Sequence, residues 1–313
     1  MKGNRKMKNI KPLYPSLSRK ALTFTIDDGN MKYDKMLLDI LKPAGIKGTF
    51  NLCSNIHAGR EDETRAFYEG YGIANHIKYH PFVKFDDAEL KISSDAFDEE
   101  TADPAYIYSV DGKDGFFWQI KPNGWRQMVM TEDFLRYISE GQSELRAIFG
   151  ENASRDLVWP YGAQNNAAVE EYIRRTHRSS RKTGCTLDKT NFALPADMYA
   201  WSYNANDGNI LEVMEKYDAY SDDGELKFFA FGVHSIDFER SGTWGSLRTF
   251  AERYGDRPDD YWYASVEDIF DYKEAIESLV ITDSEVKNPS PLKVYLEIDG
   301  NAISVEPFGK LTF

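Results

Sequence analysis

Short apolar runs alternate with helix-period stretches along most of this 313-residue chain, which predicts an α/β protein of parallel strands joined by helical crossovers. Two runs anchor the prediction. Lys227-Phe228-Phe229-Ala230-Phe231-Gly232-Val233 is almost continuously apolar, the mark of a strand covered on both faces. Ala21-Leu22-Thr23-Phe24-Thr25-Ile26 has a similar character and ends in two adjacent carboxylates, Asp27 and Asp28. A barrel and a doubly wound sheet both satisfy this pattern.

The elements follow in order. Residues 21–26 read as the first strand. Residues 32–42 carry Met36, Leu37, Ile40 and Leu41 at helical spacing, and Pro43 and Gly45 stop that helix. Thr49-Phe50-Asn51-Leu52 and Tyr71-Gly72-Ile73-Ala74-Asn75 read as the next two strands. Residues 132–148 form a helix with Thr131 as N-cap and Gly150 at its end. Leu157-Val158-Trp159 is a strand, 166–176 a helix, 198–203 a strand and 210–217 a helix. After the strand at 227–233, Tyr261-Trp262-Tyr263-Ala264 and a helix near 266–279 complete the series.

Two segments break the rhythm. Residues 82–130 are acidic at first and aromatic later. Within them Tyr106–Val110 and Phe116–Ile120 predict a β-hairpin turned at 111–115, an insertion on the rim of the main domain. Beyond Asn288-Pro289-Ser290-Pro291, strands at Val294–Ile298 and Ile303–Val305 predict a second hairpin, turned by Asp299-Gly300-Asn301. The chain thus divides into an N-terminal segment (1–20), a main body (21–280) and a β-hairpin tail (281–313).

The formal net charge of -13 disfavours nucleic acid and anionic membranes as partners. The aromatic share, 14%, suits a protein that stacks on sugar rings, although core packing uses aromatics too. Cys53 and Cys185 allow one disulfide or none. The basic N-terminus has no apolar stretch behind it, so no signal peptide is expected, and no segment is apolar enough to span a bilayer. Read at face value the protein is cytoplasmic; a chain trimmed of its signal would look the same. The oligomeric state is not legible.

The chemistry begins at Asp27 and Asp28. Neighbouring like charges repel, and burial sharpens the repulsion. A cation resolves it: one carboxylate binds the ion while the other moves protons. His76-Ile77-Lys78-Tyr79-His80 follows the third strand. Four-residue spacing puts both imidazoles on one face of a helical turn, where they can share a cation; two surface histidines four apart are the bland alternative. His234 follows the buried strand directly, either as a satisfied rim histidine or as a general acid at the mouth of a barrel. Trp159-Pro160-Tyr161-Gly162 ends another strand. Pro160 fixes the backbone there, so the Tyr161 N–H is a candidate fixed donor, with a plain strand-to-loop turn as the alternative. His57 and His177 lack such context and read as structural or surface residues. Trp118, Trp125, Trp201, Trp244 and Trp262 are candidate sugar platforms, Trp201, Trp118 and Trp262 foremost, with core or rim packing as the alternative.

Together these residues resemble the polysaccharide deacetylases, carbohydrate esterase family four. The Thr-Ile-Asp-Asp-Gly run, the His-x-x-x-His pair, the Pro-Tyr turn and the Gly-Val-His run occur in that family's order, over roughly residues 20–280. The resemblance implies a distorted (β/α) barrel, usually seven-stranded, with a divalent metal held by Asp28, His76 and His80. Zn2+ is the first expectation, with Co2+, Ni2+ or Mn2+ as alternatives. It further implies Asp27 as base, His234 as acid and the Tyr161 N–H as an oxyanion donor. Three positions depart from the family's pattern. Ile77 stands where a Ser or Thr follows the first ligand histidine. The arginine two residues before the Pro-Tyr pair would fall on Val158 or Trp159. Asp197-Met198-Tyr199-Ala200-Trp201 has Ala200 where a second Asp tunes the acid histidine, and Asp237 is a candidate substitute. The expected activity is metal-assisted removal of an acetyl group from an N-acetylated, less readily an O-acetylated, sugar or polysaccharide. The alternatives are a carbohydrate-binding protein that kept the fold and lost turnover, and an amidohydrolase on a non-sugar amide.

Overall fold

The computed structural model describes residues 9–83, 108–109, 116–120, 124–162, 166–182 and 192–313, with the backbone alone at 108–109, 116–120 and 124–127. The main sheet uses β1 (Lys20–Asp28), β2 (Gly48–Leu52), β3 (Gly72–Asn75), β4 (Asp156–Val158), β5 (Ser179–Arg181), β6 (Lys227–His234) and β7 (Trp262–Tyr263). Six strands run in the order β5-β4-β3-β2-β1-β6, and β7 pairs with β1. The β4–β5, β3–β4, β1–β6 and β1–β7 pairings are all parallel. This is the seven-stranded parallel α/β arrangement expected from the sequence.

Two compact units share the chain. One comprises Met1–Phe50, Thr186–Ala196 and Tyr203–Phe313; the other comprises Asn51–Cys185 and Asp197–Ser202. Strand β2 belongs to both, its first three residues to the first unit and its last two to the second.

In the first unit β1 and β6 are buried along almost their whole length, so Thr23 and Thr25 are as inaccessible as Leu22, Phe24 and Ile26. Their register runs from Lys20 opposite Lys227 to Asp27 opposite His234. A slip of one residue would turn every side chain to the wrong face, so burial on both faces locks this register. Phe24 meets Phe231 and Phe250 at ring-centroid distances of 4.7 and 5.6 Å. Helix α1 (Met31–Leu41) buries Leu37, Leu38 and Leu41, and Gly45 turns the chain with a φ of +67°.

The hairpin in the tail is as expected: Val294–Ile298 pairs antiparallel with Asn301–Val305. Asp299 and Gly300 both have positive φ, 51° and 85°, as a two-residue type I′ turn requires. The sequence did not indicate its third strand, Ile10–Leu13, which pairs with Val294–Ile298. Nor did it indicate a further small sheet of 280–281, 285–287 and 310–312.

The second unit carries α2 (Glu61–Phe67), α3 (Thr131–Phe149) and α4 (Ala167–Thr176); α3 and α4 bring Phe134, Ile138, Val169 and Ile173 into a core with Leu157 and Trp159. Gly150 ends α3 as expected, but Thr131 lies inside the helix and Met130 is the N-cap, with no side-chain cap bond. The Thr131 hydroxyl instead accepts from Asn166 Nδ2 at 2.9 Å, while Asn166 Oδ1 caps α4 through Val169 N–H.

The strand expected at 198–203 is not one. Asp197 Oδ1 accepts the Tyr199 N–H at 2.8 Å, which bends the chain into a turn, and only a single bridge, Arg181 to Trp201, reaches β5. The first hairpin is present as Tyr108–Ser109 against Phe116–Ile120, while its expected turn lies outside the described residues. Gly124–Val129 adds a strand to it that the Gly-Trp-Arg-Gln sequence did not reveal.

Phe24 is fully buried between aromatic neighbours. Phe24→Ala should therefore lower unfolding free energy by about 3–5 kcal/mol. A urea titration would read the loss as a lower midpoint at unchanged slope.

Candidate metal and catalytic site

The C-terminal ends of β1 and β6 bring Asp27 beside His234. Asp27 is 7% exposed. The backbone then turns into the left-handed region at Asp28 (φ 77°) and Gly29 (φ 76°). Such a conformation costs a non-glycine residue on the order of 1–3 kcal/mol. It takes Asp28 out of the pleat, where its carboxylate would otherwise alternate strictly with that of Asp27.

His234 Nδ1 donates to Asp237 Oδ2 at 2.8 Å, and its Nε2 lies 3.9 Å from Asp28 Oδ2. Burial pulls the His234 pKa down. The Asp237 bond and the charges of Asp27, Asp28 and Asp237 outweigh burial and lift it from 6.5 to about 9. Asp237 sits on the first turn of the short helix α5 (Asp237–Ser241) and also pairs with Arg240 at 3.3 Å. Burial raises its carboxyl, but the bond and charge of His234 prevail and hold it below the ordinary range. The substitute partner suggested by the sequence therefore contacts the imidazole directly.

His76 follows β3, with its N–H on Leu52 O at 3.0 Å. The segment after it is not the helical turn that the spacing suggested. Asn75 Oδ1 accepts the Ile77 N–H at 3.0 Å, and Ile77, Tyr79 and His80 all have positive φ. The imidazoles nevertheless converge, with His76 Nε2 and His80 Nε2 3.1 Å apart. His76 Nδ1 lies 2.9 Å from Val158 O. A carbonyl can only accept, so Nδ1 carries a proton and, in the neutral ring, Nε2 is a lone pair facing His80. A backbone carbonyl that fixes the tautomer of a histidine in this way is the usual outer support of a metal ligand.

Tyr161 has a φ of 58°, in a turn closed by Gly162 N–H to Trp159 O at 3.3 Å. Its ring stacks on Phe82 (centroids 4.1 Å, 12° between planes) and meets His80 edge-on at 4.4 Å. No arginine stands at Val158 or Trp159. A fully buried one, Arg181, lies opposite Val158 in the register of β4 and β5. No local signal marked it in the sequence, because a parallel pairing brings the two residues together.

Among the described residues, Asp28, His76 and His80 form a group whose ligand atoms lie within 4.8 Å of one another. One carboxylate and two imidazoles are a fitting donor set for a divalent transition metal.

A family profile described as polysaccharide deacetylase matches residues 15–178, just over half of the chain. The chain belongs to the polysaccharide deacetylase family. The matched stretch contains Asp27, Asp28, His76, His80 and Tyr161 and ends before His234. No curated protein matches the chain. Solved structures similar to it include the peptidoglycan deacetylase PdaC from Bacillus subtilis (15% identity, 82% of this chain and 95% of that one, TM-score 0.43). A family 4 carbohydrate esterase from Streptomyces lividans in complex with acetate is 12% identical over 75% of this chain and 88% of that one, with a TM-score of 0.40. A putative polysaccharide deacetylase from Mycobacterium smegmatis is 14% identical over 87% and 96%, with a TM-score of 0.49.

Other features of this chain differ from expectation. Trp201 is 1% exposed and offers no open ring face. Trp262 pairs with Ala21, at the far end of β1 from Asp27, and its ring packs on Tyr14 and Tyr272. Trp244 is buried against Phe238, with Nε1 on Glu239. These three serve packing. The side chains of Trp118 and Trp125 lie outside the described residues. Asp197 pairs with Arg174 at 3.0 Å. His57 and His177 are buried, and burial is the main cause that lowers them to about 4 and about 3. Cys53 is in no disulfide and donates to His76 O, and Cys185 lies outside the described residues. No helix among the described residues is long and apolar enough to cross a membrane.

Replacing Asp237 with Asn removes a bond and a charge that raise His234. Followed by NMR in metal-free protein, the His234 titration should fall from near 9 by about one unit or more. The raised value also stabilises the fold. That contribution is complete below the unfolded value of 6.5 and is lost as pH rises through about 9.

Proposed function

We propose that this chain is a metal-dependent deacetylase that hydrolyses the acetyl amide of an N-acetylated sugar or polysaccharide, with an O-acetyl ester as the second choice. The grouping of Asp28, His76 and His80 carries the reading. These three residues would hold the ion, with Zn2+ first and Co2+, Ni2+ or Mn2+ as alternatives. When bound, the ion acidifies a water and polarises the acetyl carbonyl.

The remaining roles fall to this chain's own groups. Asp27, buried next to His234 in the β1–β6 register, takes the proton of the attacking water. The Tyr161 backbone N–H donates to the oxygen on which negative charge develops. His234, held by Asp237 with its Nδ1 engaged, gives its other proton from Nε2 to the leaving atom. An amide nitrogen must be protonated to leave, whereas an alcohol leaves more easily. A histidine whose pKa is raised keeps that proton near neutrality, which favours the amide.

Metal analysis followed by acetate release from N-acetylglucosamine oligomers, N-acetylgalactosamine and acetylxylan tests the proposal. Asp27→Asn should lower acetate release by about 10²–10⁴-fold with metal content unchanged. Bound metal with release from none of the substrates would favour a carbohydrate-binding protein, the reading that Ala200 and the absent arginine at Val158 or Trp159 support.

The rate should be bell-shaped in pH, rising as Asp27 ionises and falling as His234 loses its proton. A cation on Asp28 cancels part of the attraction that lifts His234, so the alkaline limb should lie at or below about 9. A profile flat from about pH 5 to pH 9 would remove this pair of roles.

A further inference from the structure

The second unit leaves two aromatic side chains open near His80, one adjacent to it in the chain and one against its ring. Tyr79, directly before it, is 55% exposed, and Tyr161, whose ring touches the His80 imidazole, is 47% exposed. The candidate tryptophans with described side chains are committed to packing, so sugar stacking, if the chain does it here, falls to other rings.

Both tyrosines are held rather than loose. The Tyr79 N–H is fixed on Asn55 Oδ1 at 2.8 Å, and its ring meets Tyr137 edge-on at 5.1 Å. Lys78 Nζ lies 5.3 Å from the Tyr79 ring centroid and is itself tied to Glu140 and Glu144. Tyr161 is backed by Phe82. Both residues sit at positive φ, with Ile77 and His80 strained in the same sense. Strain of this kind persists where surrounding structure enforces it, and it concentrates at ligand clamps. A rigid, half-exposed tyrosine ring gives contact area at small entropic cost and attracts polarised C–H groups to its face. The C–H face of a pyranose ring has that chemistry.

We propose that Tyr79 and Tyr161 form an aromatic rim on which pyranose rings of an N-acetylated oligosaccharide stack, so that Tyr79 is a substrate-positioning residue. The proposal rests on the deacetylase reading for the placement of the acetyl group, but the rim can be tested by binding alone.

The test compares wild type, Tyr79→Ala and Tyr79→Phe, each loaded with zinc. The substrates are a tetramer of N-acetylglucosamine and 4-nitrophenyl acetate, an acetyl ester with no sugar. Tyr79→Ala should raise KM for the tetramer about tenfold, leave kcat and the simple ester within about twofold, and keep the zinc content. Tyr79→Phe, which retains the ring, should restore the KM. Equal losses on both substrates, or no change on either, would overturn the rim.

If the wild type cleaves neither substrate, the deacetylase reading fails and calorimetry with the tetramer decides the rim separately. Weaker binding by Tyr79→Ala, restored by Tyr79→Phe, supports it. Equal affinity, or no binding by the wild type, overturns it.

Discussion

Two carboxylates on consecutive residues, at the end of a strand buried on both faces, impose the constraint from which the site follows. Asp27 remains in the pleat, nearly inaccessible, while Asp28 leaves it through a left-handed turn. One turn thus gives two identical side chains different surroundings. Asp27 is kept next to His234 by the register of β1 and β6, which cannot slip without exposing Phe24 and Phe231. The aromatic packing of the first unit is therefore also what holds Asp27 and His234 side by side.

The second unit meets its own constraint differently. His76 and His80 are not carried by a helix. Asn75 folds the chain back after β3, and three left-handed residues bring the imidazoles together. Each such residue costs on the order of 1–3 kcal/mol, which the buried Ile77 and the core beneath it must offset. The Val158 carbonyl then fixes the His76 tautomer, so β4 orients the imidazole. A local sequence with no regular secondary structure becomes well defined because its neighbours determine it.

Beside two of the departures from the family's pattern the structure holds charged groups of its own. Asp237, three residues beyond His234, holds its imidazole. Arg181, on the strand beside Val158, puts a buried guanidinium in a part of the second unit where the sequence showed none. The aromatic surface shifts similarly. Trp201, Trp244 and Trp262 pack internally, while Tyr79 and Tyr161 remain open.

The sequence by itself determined the parallel α/β class, the strands that end in function, and the identity of Asp27, Asp28, His76, His80, Tyr161 and His234 as candidates. Those features are local: burial on both faces writes continuous apolar runs, and chemistry-bearing residues stand at the strand ends. It could equally foresee Asp237, three residues from its partner. Tertiary structure alone decided what depends on pairing between distant residues. It fixed the strand order, the partnership of Ile10–Leu13 with the tail, and the position of Arg181 opposite Val158. It also replaced the expected helical turn at 76–80 by a strained loop, because a side chain, Asn75, competed for the backbone that a helix would have used. Which rings stay exposed was likewise beyond the sequence, since a tryptophan written beside a motif reads the same whether its face meets solvent or another ring.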